Sequence, residues 1–305
     1  MLVAEPMLTL PNLVIIGAPK CATTSLHAYL SAHPDVFMSR QKELHFFLTT
    51  ASWGTWSKGI EWYAAQFEEG ADCRVRGEAS PGYSIDPHVE AAVEHMARVL
   101  PTVKLVYMVR EPISRIQSNY TEELYGGRIP PSITLEQILS AEAGDSGLLG
   151  HYHRAFVYTS LYHRQLCRYW ERFPPAQMHV MAMESLAQDP VAALQRLFSF
   201  LGVADDFLPP NLDARLNEKS AKRLRTVNPT RLLVRVPQYQ RISNLFPEPM
   251  KCLYRRVISR KVEHEQLVHI SPESHAYLRS LLVPDLKRLV DATGVSFEEW
   301  QGVRE

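Results

Sequence analysis

Residues 12–26, Asn-Leu-Val-Ile-Ile-Gly-Ala-Pro-Lys-Cys-Ala-Thr-Thr-Ser-Leu, constrain the fold more than any other stretch of this chain. Leu13 to Ile16 is an unbroken apolar run, the pattern of a parallel strand buried on both faces. It stops at Gly17 and Pro19. A helical pattern follows, with Leu26, Tyr29 and Leu30 on one face and Pro34 beyond its end. Between strand and helix lie Lys20, Thr23, Thr24 and Ser25. Such a turn aims backbone N–H groups, hydroxyls and one ammonium at a single point. Phosphate is the natural ligand for that arrangement, so the chain reads as one that handles a nucleotide.

The loop is not the standard G-x-x-x-x-G-K-[ST] pattern, because Lys20 precedes the Thr-Thr-Ser cluster and Ala22 stands where a glycine is expected. A second block lies about ninety residues on. Residues 104–120 read Lys-Leu-Val-Tyr-Met-Val-Arg-Glu-Pro-Ile-Ser-Arg-Ile-Gln-Ser-Asn-Tyr. Leu105 to Val109 reads as another buried strand, with Arg110 at its carboxyl end and Pro112 in the first turn of a helix. Ser118 falls two turns into that helix. Ligands of open α/β sheets bind outside the carboxyl ends of the strands, and an arginine fork at that edge suits a phosphate.

The rest of the chain keeps the alternation. Asp35 to Met38 and Arg74 to Gly77 read as short strands, and Val89 to Val99 carries a clear helical stripe. A helix over 112–125, a short one over 134–141, a helix over 160–172, a strand over 177–183 and a helix over 190–201 follow. The segment 143–150, with three glycines, reads as a loop. Ser271-Pro272-Glu273-Ser274 starts a helix over 272–292, closed by Gly294. Such β-α alternation implies a parallel sheet with helices on both faces. There is no internal repeat, and residues 1–305 read as one domain, with a core over 12–203.

Both motifs resemble those of sulfotransferases that use 3′-phosphoadenosine-5′-phosphosulfate (PAPS). Pro19-Lys20-Cys21-Ala22-Thr23-Thr24-Ser25-Leu26 resembles the 5′-phosphosulfate loop, and Arg110 with Ser118 resembles the 3′-phosphate motif, with Glu111 in place of the usual Asp. Lys42-Glu43-Leu44-His45-Phe46-Phe47 is similar to the Glu-x-His-Phe-Phe segment of the heparan-sulfate type and related bacterial members. Gly77 to Tyr83, Ser160 to Tyr162 and Phe200 to Val203 fit the same group. The resemblance implies a P-loop-like three-layer α/β domain with a central parallel sheet flanked by helices. It implies PAPS as donor, adenosine 3′,5′-bisphosphate (PAP) as product and no metal. Pro19 to Ser25, Arg110, Ser118 and Tyr162 would hold the nucleotide. Ser220, Lys222 and Arg223 belong to a basic stretch, Asn217 to Arg225, that resembles the loop closing over it, and the whole of 204–305 would supply this loop and C-terminal helices.

For chemistry, Lys20 would stand by the bridging oxygen, and Glu43 is the general base that the resemblance favours. His45 either orients Glu43 or takes its role. Glu78, Trp53 and Tyr83 are candidates for the acceptor side. The Lys that often follows this Glu in heparan-sulfate enzymes is Ala79 here, which argues against a highly sulfated polysaccharide acceptor. Sugar, lipid or hydroxyacyl, and natural-product hydroxyls all stay open. Two rivals are a P-loop kinase, which needs a Gly-Lys-Ser/Thr loop end that this chain lacks, and a PAPS-binding protein without turnover.

Composition removes other classes. Lys plus Arg number 33 and Asp plus Glu number 33, so the net charge is zero, unlike that of most nucleic-acid binders. The four cysteines, Cys21, Cys73, Cys167 and Cys252, have neither disulfide nor metal spacing, and Cys21 reads as a small filler in the loop. No apolar run reaches the ~18 residues of a membrane span. The sequence-based expectation is a cytoplasmic, bacterial enzyme acting on a small-molecule or glycan acceptor.

Overall fold

A computed structural model describes residues 8–50, 53–130, 132–141, 145–210, 212, 224–225, 259–260, 268–297 and 300–303. Ser220, Lys222 and Arg223, the stretch 231–258 and the side chain of Arg225 lie outside that description.

The described chain divides into two compact units. The first comprises residues 1–115, 157–216 and 279–305, and the second residues 116–156 and 217–278. The first unit is built on five parallel strands: β1 (Leu13–Gly17), β2 (Val36–Met38), β3 (Val75–Ala79), β4 (Lys104–Val109) and β5 (Met178–Ala182). Their order is β2-β3-β1-β4-β5. Every residue of β1 is buried, and in β4 only Lys104 is not fully buried. Central strands covered on both faces must be apolar where they are buried, as these are. The helices of the described chain include α1 (Thr23–Ser31), α2 (Ile60–Ala65), α3 (Val89–Val99), α4 (Pro112–Tyr125), α5 (Leu135–Leu139) and α6 (Leu148–Val157). They continue as α7 (Tyr162–Trp170), α8 (Met183–Gln188), α9 (Pro190–Leu201) and α10 (Pro272–Thr293).

Strand order determines where a ligand can sit. After β1 the chain crosses to β2 on one side; after β4 it crosses to β5 on the other. The carboxyl ends of β1 and β4 therefore flank a topological switch point, where the departing loops leave a crevice. The two strands are paired, Leu13 with Lys104 through Gly17 with Tyr107, and the register shifts between Ile15 and Gly17. Gly17 is needed at this tight exit, because a Cβ there would strike the Ser84 hydroxyl and lie 2.8 Å from the Tyr107 ring.

The second unit carries most of α4, with α5, α6 and the start of α10. Glu136 receives hydrogen bonds from Ser271 N–H (3.0 Å) and Ser271 Oγ (2.7 Å), and Thr134 with Gln137 forms a capping box on α5. No helix among the described residues is long and apolar enough to cross a membrane.

Two helices depart from the sequence reading. Leu148–Val157 is helical although residues 143–150 read as a loop, and Met183–Gln188 forms a helix where the strand was expected to run to 183.

Candidate functional site

The loop between β1 and α1 carries the first group of candidates. Ala22, the residue before α1, is left-handed (φ +62°), and no side chain caps the helix. The first hydrogen bond of α1 runs from Leu26 N–H to the Ala22 carbonyl at 3.1 Å. The N–H groups of Thr23, Thr24 and Ser25 precede it and lack intrahelical partners, as at every helix start. No acidic side chain occupies this turn. Together with the helix dipole these donors suit an anion. Thr23 and Ser25 are buried, whereas Thr24 is exposed.

Two arginines latch the loop from β4 and α4. The Arg115 guanidinium is fully buried; its Nε donates to the Pro19 carbonyl at 3.1 Å and its Nη1 to Ser160 Oγ at 2.8 Å. Arg110 Nη1 donates to the Lys20 carbonyl at 3.4 Å. Arg110 Nε is buried and has no hydrogen-bond partner. A buried, unpartnered donor on a cation beside an amide-lined turn fits an anionic ligand. The backbone of Arg110 is fixed by Tyr162, whose hydroxyl donates to its carbonyl (2.7 Å) and accepts from its N–H (3.3 Å). Tyr162 thus serves the site from inside the core. Glu111 caps α4, accepting from Ile113 N–H (3.0 Å) and Ser114 N–H (2.5 Å), and its own N–H donates to Glu184 at 3.1 Å. A glutamate performs the capping task of the expected aspartate. Ser118 is half-buried and lies in the part of α4 that belongs to the second unit.

Cys21 is fully buried, and burial pushes its thiol up to about 11. It is a filler without thiolate character at neutral pH.

The loop after β2 carries the other candidates. Glu43 is half-exposed, and Lys42 stands beside it. Lys42 Nζ donates to Thr24 Oγ1 at 2.8 Å and to Glu43 Oε1 at 3.3 Å. This one ammonium therefore joins the start of α1 to the candidate base. His45 packs edge-on against Trp53, with ring centroids 4.6 Å apart. Burial holds its imidazole below the ordinary range, against the opposing pull of the Glu43 carboxylate. It is neutral at pH 7 and able to accept a proton. Among the described residues, Lys20, Ala22, Glu43 and His45 are the non-glycine positions with positive φ, at +70°, +62°, +61° and +51°. All four fall in these two loops.

Glu78 and Tyr83 differ from their expected place. Both are fully buried, with no solvent-facing surface that an acceptor could touch. Trp53 is half-buried against His45 and Gly82. Lys42 and Arg115 are the functional candidates that reading the sequence overlooks. Arg115 is visible as the second arginine of its motif, but nothing local marks Lys42.

Comparisons with known proteins identify the family. The family model described as "Sulfotransferase domain" matches residues 10–238. Heparan sulfate glucosamine 3-O-sulfotransferase 5 of Homo sapiens is 32% identical over 203 residues, which cover 67% of this chain and 55% of that protein. Heparan sulfate glucosamine 3-O-sulfotransferase 3A1 of Homo sapiens is 30% identical over 203 residues, 67% of this chain and 47% of that protein. The chain thus spans about half the length of these relatives. A solved sulfotransferase from Alicyclobacillus acidocaldarius superposes with a TM-score of 0.64 at 24% identity, covering 95% of this chain and 98% of that one, which shows a shared fold. With three quarters of its length matched by the family model, the chain belongs to the sulfotransferase domain family.

Proposed function

We propose that this chain transfers the sulfuryl group of PAPS to a hydroxyl of an acceptor. The observation that carries the reading is the bridge from Thr24 through Lys42 to Glu43, which couples an anion-binding helix start to a half-exposed carboxylate. A donor phosphate held at residues 19–25 is thereby brought next to a proton acceptor. The buried, unpartnered Nε of Arg110 supports a second phosphate contact nearby, the feature that separates PAPS from ATP.

The roles follow from the charges that must be met. The acceptor oxygen attacks sulfur in line; the new O–S bond forms as the bridging S–O bond breaks and PAP leaves. Glu43 takes the hydroxyl proton. Lys20 and the amides of Thr23 to Ser25 oppose the negative charge that grows on the leaving phosphate. His45, neutral and packed on Trp53, orients the carboxylate and the acceptor. As in phosphoryl transfer, the protein's work is positioning and charge neutralisation. The named relatives are glucosamine 3-O-sulfotransferases of heparan sulfate. For this chain the acceptor class is a carbohydrate, lipid or hydroxyacyl, or natural-product hydroxyl.

A labelled-PAPS assay over an acceptor library tests the reading. Wild type should label at least one hydroxyl acceptor, and Glu43→Gln should lose about 10²–10⁴ of that rate while still binding PAP. An active Glu43→Gln with a dead His45→Ala would move the base to His45. PAP binding without any transfer would favour a binding protein.

A further inference from the structure

Glu78 is a buried carboxylate that the chemistry above leaves unused. The hydroxyls of Tyr63 and Tyr83 each donate to Oε1 at 2.8 Å, and Ser80 Oγ donates to Oε2 at 2.6 Å. Burial pushes the carboxyl above its ordinary range while the three hydroxyls pull it down. Burying an acidic group costs stability, and a fully satisfied buried network gives in return one fixed arrangement.

Two of its donors lead outward to a single loop. Ser80 Oγ accepts from His45 N–H at 3.1 Å, and the Tyr83 hydroxyl accepts from Phe47 N–H at 3.5 Å. Alongside them, the Ala79 carbonyl accepts from Glu43 N–H at 3.0 Å. Every second amide of the loop, at 43, 45 and 47, thus rests on residues 79–83. Gly82 completes the support: a Cβ there would strike the Trp53 ring and lie 2.9 Å from His45 Nε2. Glu43 and His45 need such support, because left-handed backbone at a non-glycine residue persists only where its surroundings over-determine it. Tyr63 is different. Its ring stacks on Phe46 at 4.2 Å, and its hydroxyl bonds the carboxylate rather than an amide of the loop.

We propose that Glu78 is a positioning residue for the transfer: through the hydroxyls of Ser80 and Tyr83 it fixes the loop that presents Glu43 and His45. This rests on the reading of those two side chains as the proton-handling pair.

The test compares Ser80→Ala, Tyr83→Phe and Tyr63→Phe in the full chain. The readouts are kcat on one acceptor at saturating PAPS, PAP affinity by calorimetry, and the melting temperature. Tyr83→Phe and Tyr63→Phe each remove one hydroxyl donor to Glu78 Oε1, and only Tyr83→Phe also removes the acceptor of Phe47 N–H, so kcat read beside the melting temperature separates loop positioning from stability. The expected result is a kcat lowered about tenfold by Ser80→Ala and by Tyr83→Phe, with PAP affinity within about twofold. Tyr63→Phe should lower the melting temperature as Tyr83→Phe does, yet keep kcat within about twofold of wild type. In the Glu43→Gln background Ser80→Ala should cost no further activity, because the group it misplaces no longer acts. Unchanged kcat in Ser80→Ala, or equal kcat losses in Tyr63→Phe and Tyr83→Phe, would overturn the proposal. Should Ser80→Ala fail to fold, the two tyrosine variants still decide it. Glu43→Gln alone judges the base assignment: if it stays active that assignment fails, while the tyrosine comparison continues to judge the positioning.

Discussion

Replacing Arg110 with alanine should separate binding from stability, and the structure gives the sign of each. In the folded chain the guanidinium makes one long hydrogen bond, 3.4 Å to the Lys20 carbonyl, and its Nε is buried with no partner. A buried unsatisfied donor costs about 1–3 kcal/mol, so deleting it offsets the loss of the long hydrogen bond to Lys20. The melting temperature without ligand should therefore stay within a few degrees of wild type or rise. Ligand binding should behave in the opposite way. A charge-assisted contact to phosphate is worth about 1.5–3 kcal/mol, which is a ten- to hundred-and-fifty-fold loss in PAP affinity. Calorimetry with PAP gives the second quantity, and thermal unfolding with and without PAP gives both, since the ligand-induced shift falls with affinity. Arg110→Lys keeps the charge without the planar fork and should recover only part of the binding. Wild-type PAP affinity in Arg110→Ala would refute the anion-site assignment. A large loss of stability without ligand would show the residue to be a strut.

Two further outcomes follow from the same geometry. Lys20→Ala should leave the fold intact and lower turnover about a hundredfold or more in a labelled-PAPS assay, and a rate within about threefold of wild type would exclude its role at the leaving group. Stability should fall on acidification through His179, whose imidazole is held down to about 4 by burial and the Arg196 charge, against an ordinary 6.5. Between those values the unfolded chain binds the proton and the folded chain does not, so the contribution is complete above 6.5, shrinks as pH falls and is gone near 4. Its full size is on the order of 3 kcal/mol, and denaturant unfolding of His179→Gln against wild type at pH 7 and pH 4.5 should show the slope removed.

Where a segment's local signals agreed, its bounds were legible. The strand over 104–109 and the helices over 112–125 and 190–201 sit as read, because each has an apolar period and a Pro or Arg-Glu-Pro boundary. The helix Met183–Gln188 was hidden because β5 passes into it through Ala182 with no Gly, Pro or Asn between. Gly147 and Gly150 diluted the pattern of Leu148–Val157, whose start Asp145 marks by accepting from Gly147 N–H at 2.8 Å. In the site, motif residues announce what they touch along the chain but not how deep they lie. Glu78 follows a short strand in the sequence and reads as an acceptor-side residue, and only the folded sheet reveals it as fully buried beneath the loop of Glu43 and His45. Lys42 is an ordinary neighbour of Glu43 until the loop brings it 2.8 Å from Thr24.

Strain and support are divided between layers in this site. The candidate residues of the two site loops, Lys20, Ala22, Glu43 and His45, hold left-handed backbone that costs on the order of 1–3 kcal/mol each. The residues beneath them are the opposite: ordinary in backbone, buried, and polar. Arg115 holds the carbonyl before Lys20, Tyr162 holds the backbone of Arg110, and Glu78 accepts from the Ser80 and Tyr83 hydroxyls on which the amides of His45 and Phe47 rest. A glycine at position 43 or 45 would remove the strain, and with it the side chain that the strained backbone exists to present. A hydrophobic residue at 78 or 115 would spare the burial of charge, and would leave the loops above free to relax. The two layers are therefore coupled: substitutions at Ser80 or Tyr83, beneath the loop of Glu43 and His45, should appear in turnover before PAP affinity, whereas substitutions at Arg115 or Tyr162, which hold the β1–α1 loop and Arg110, should weaken PAP binding in calorimetry.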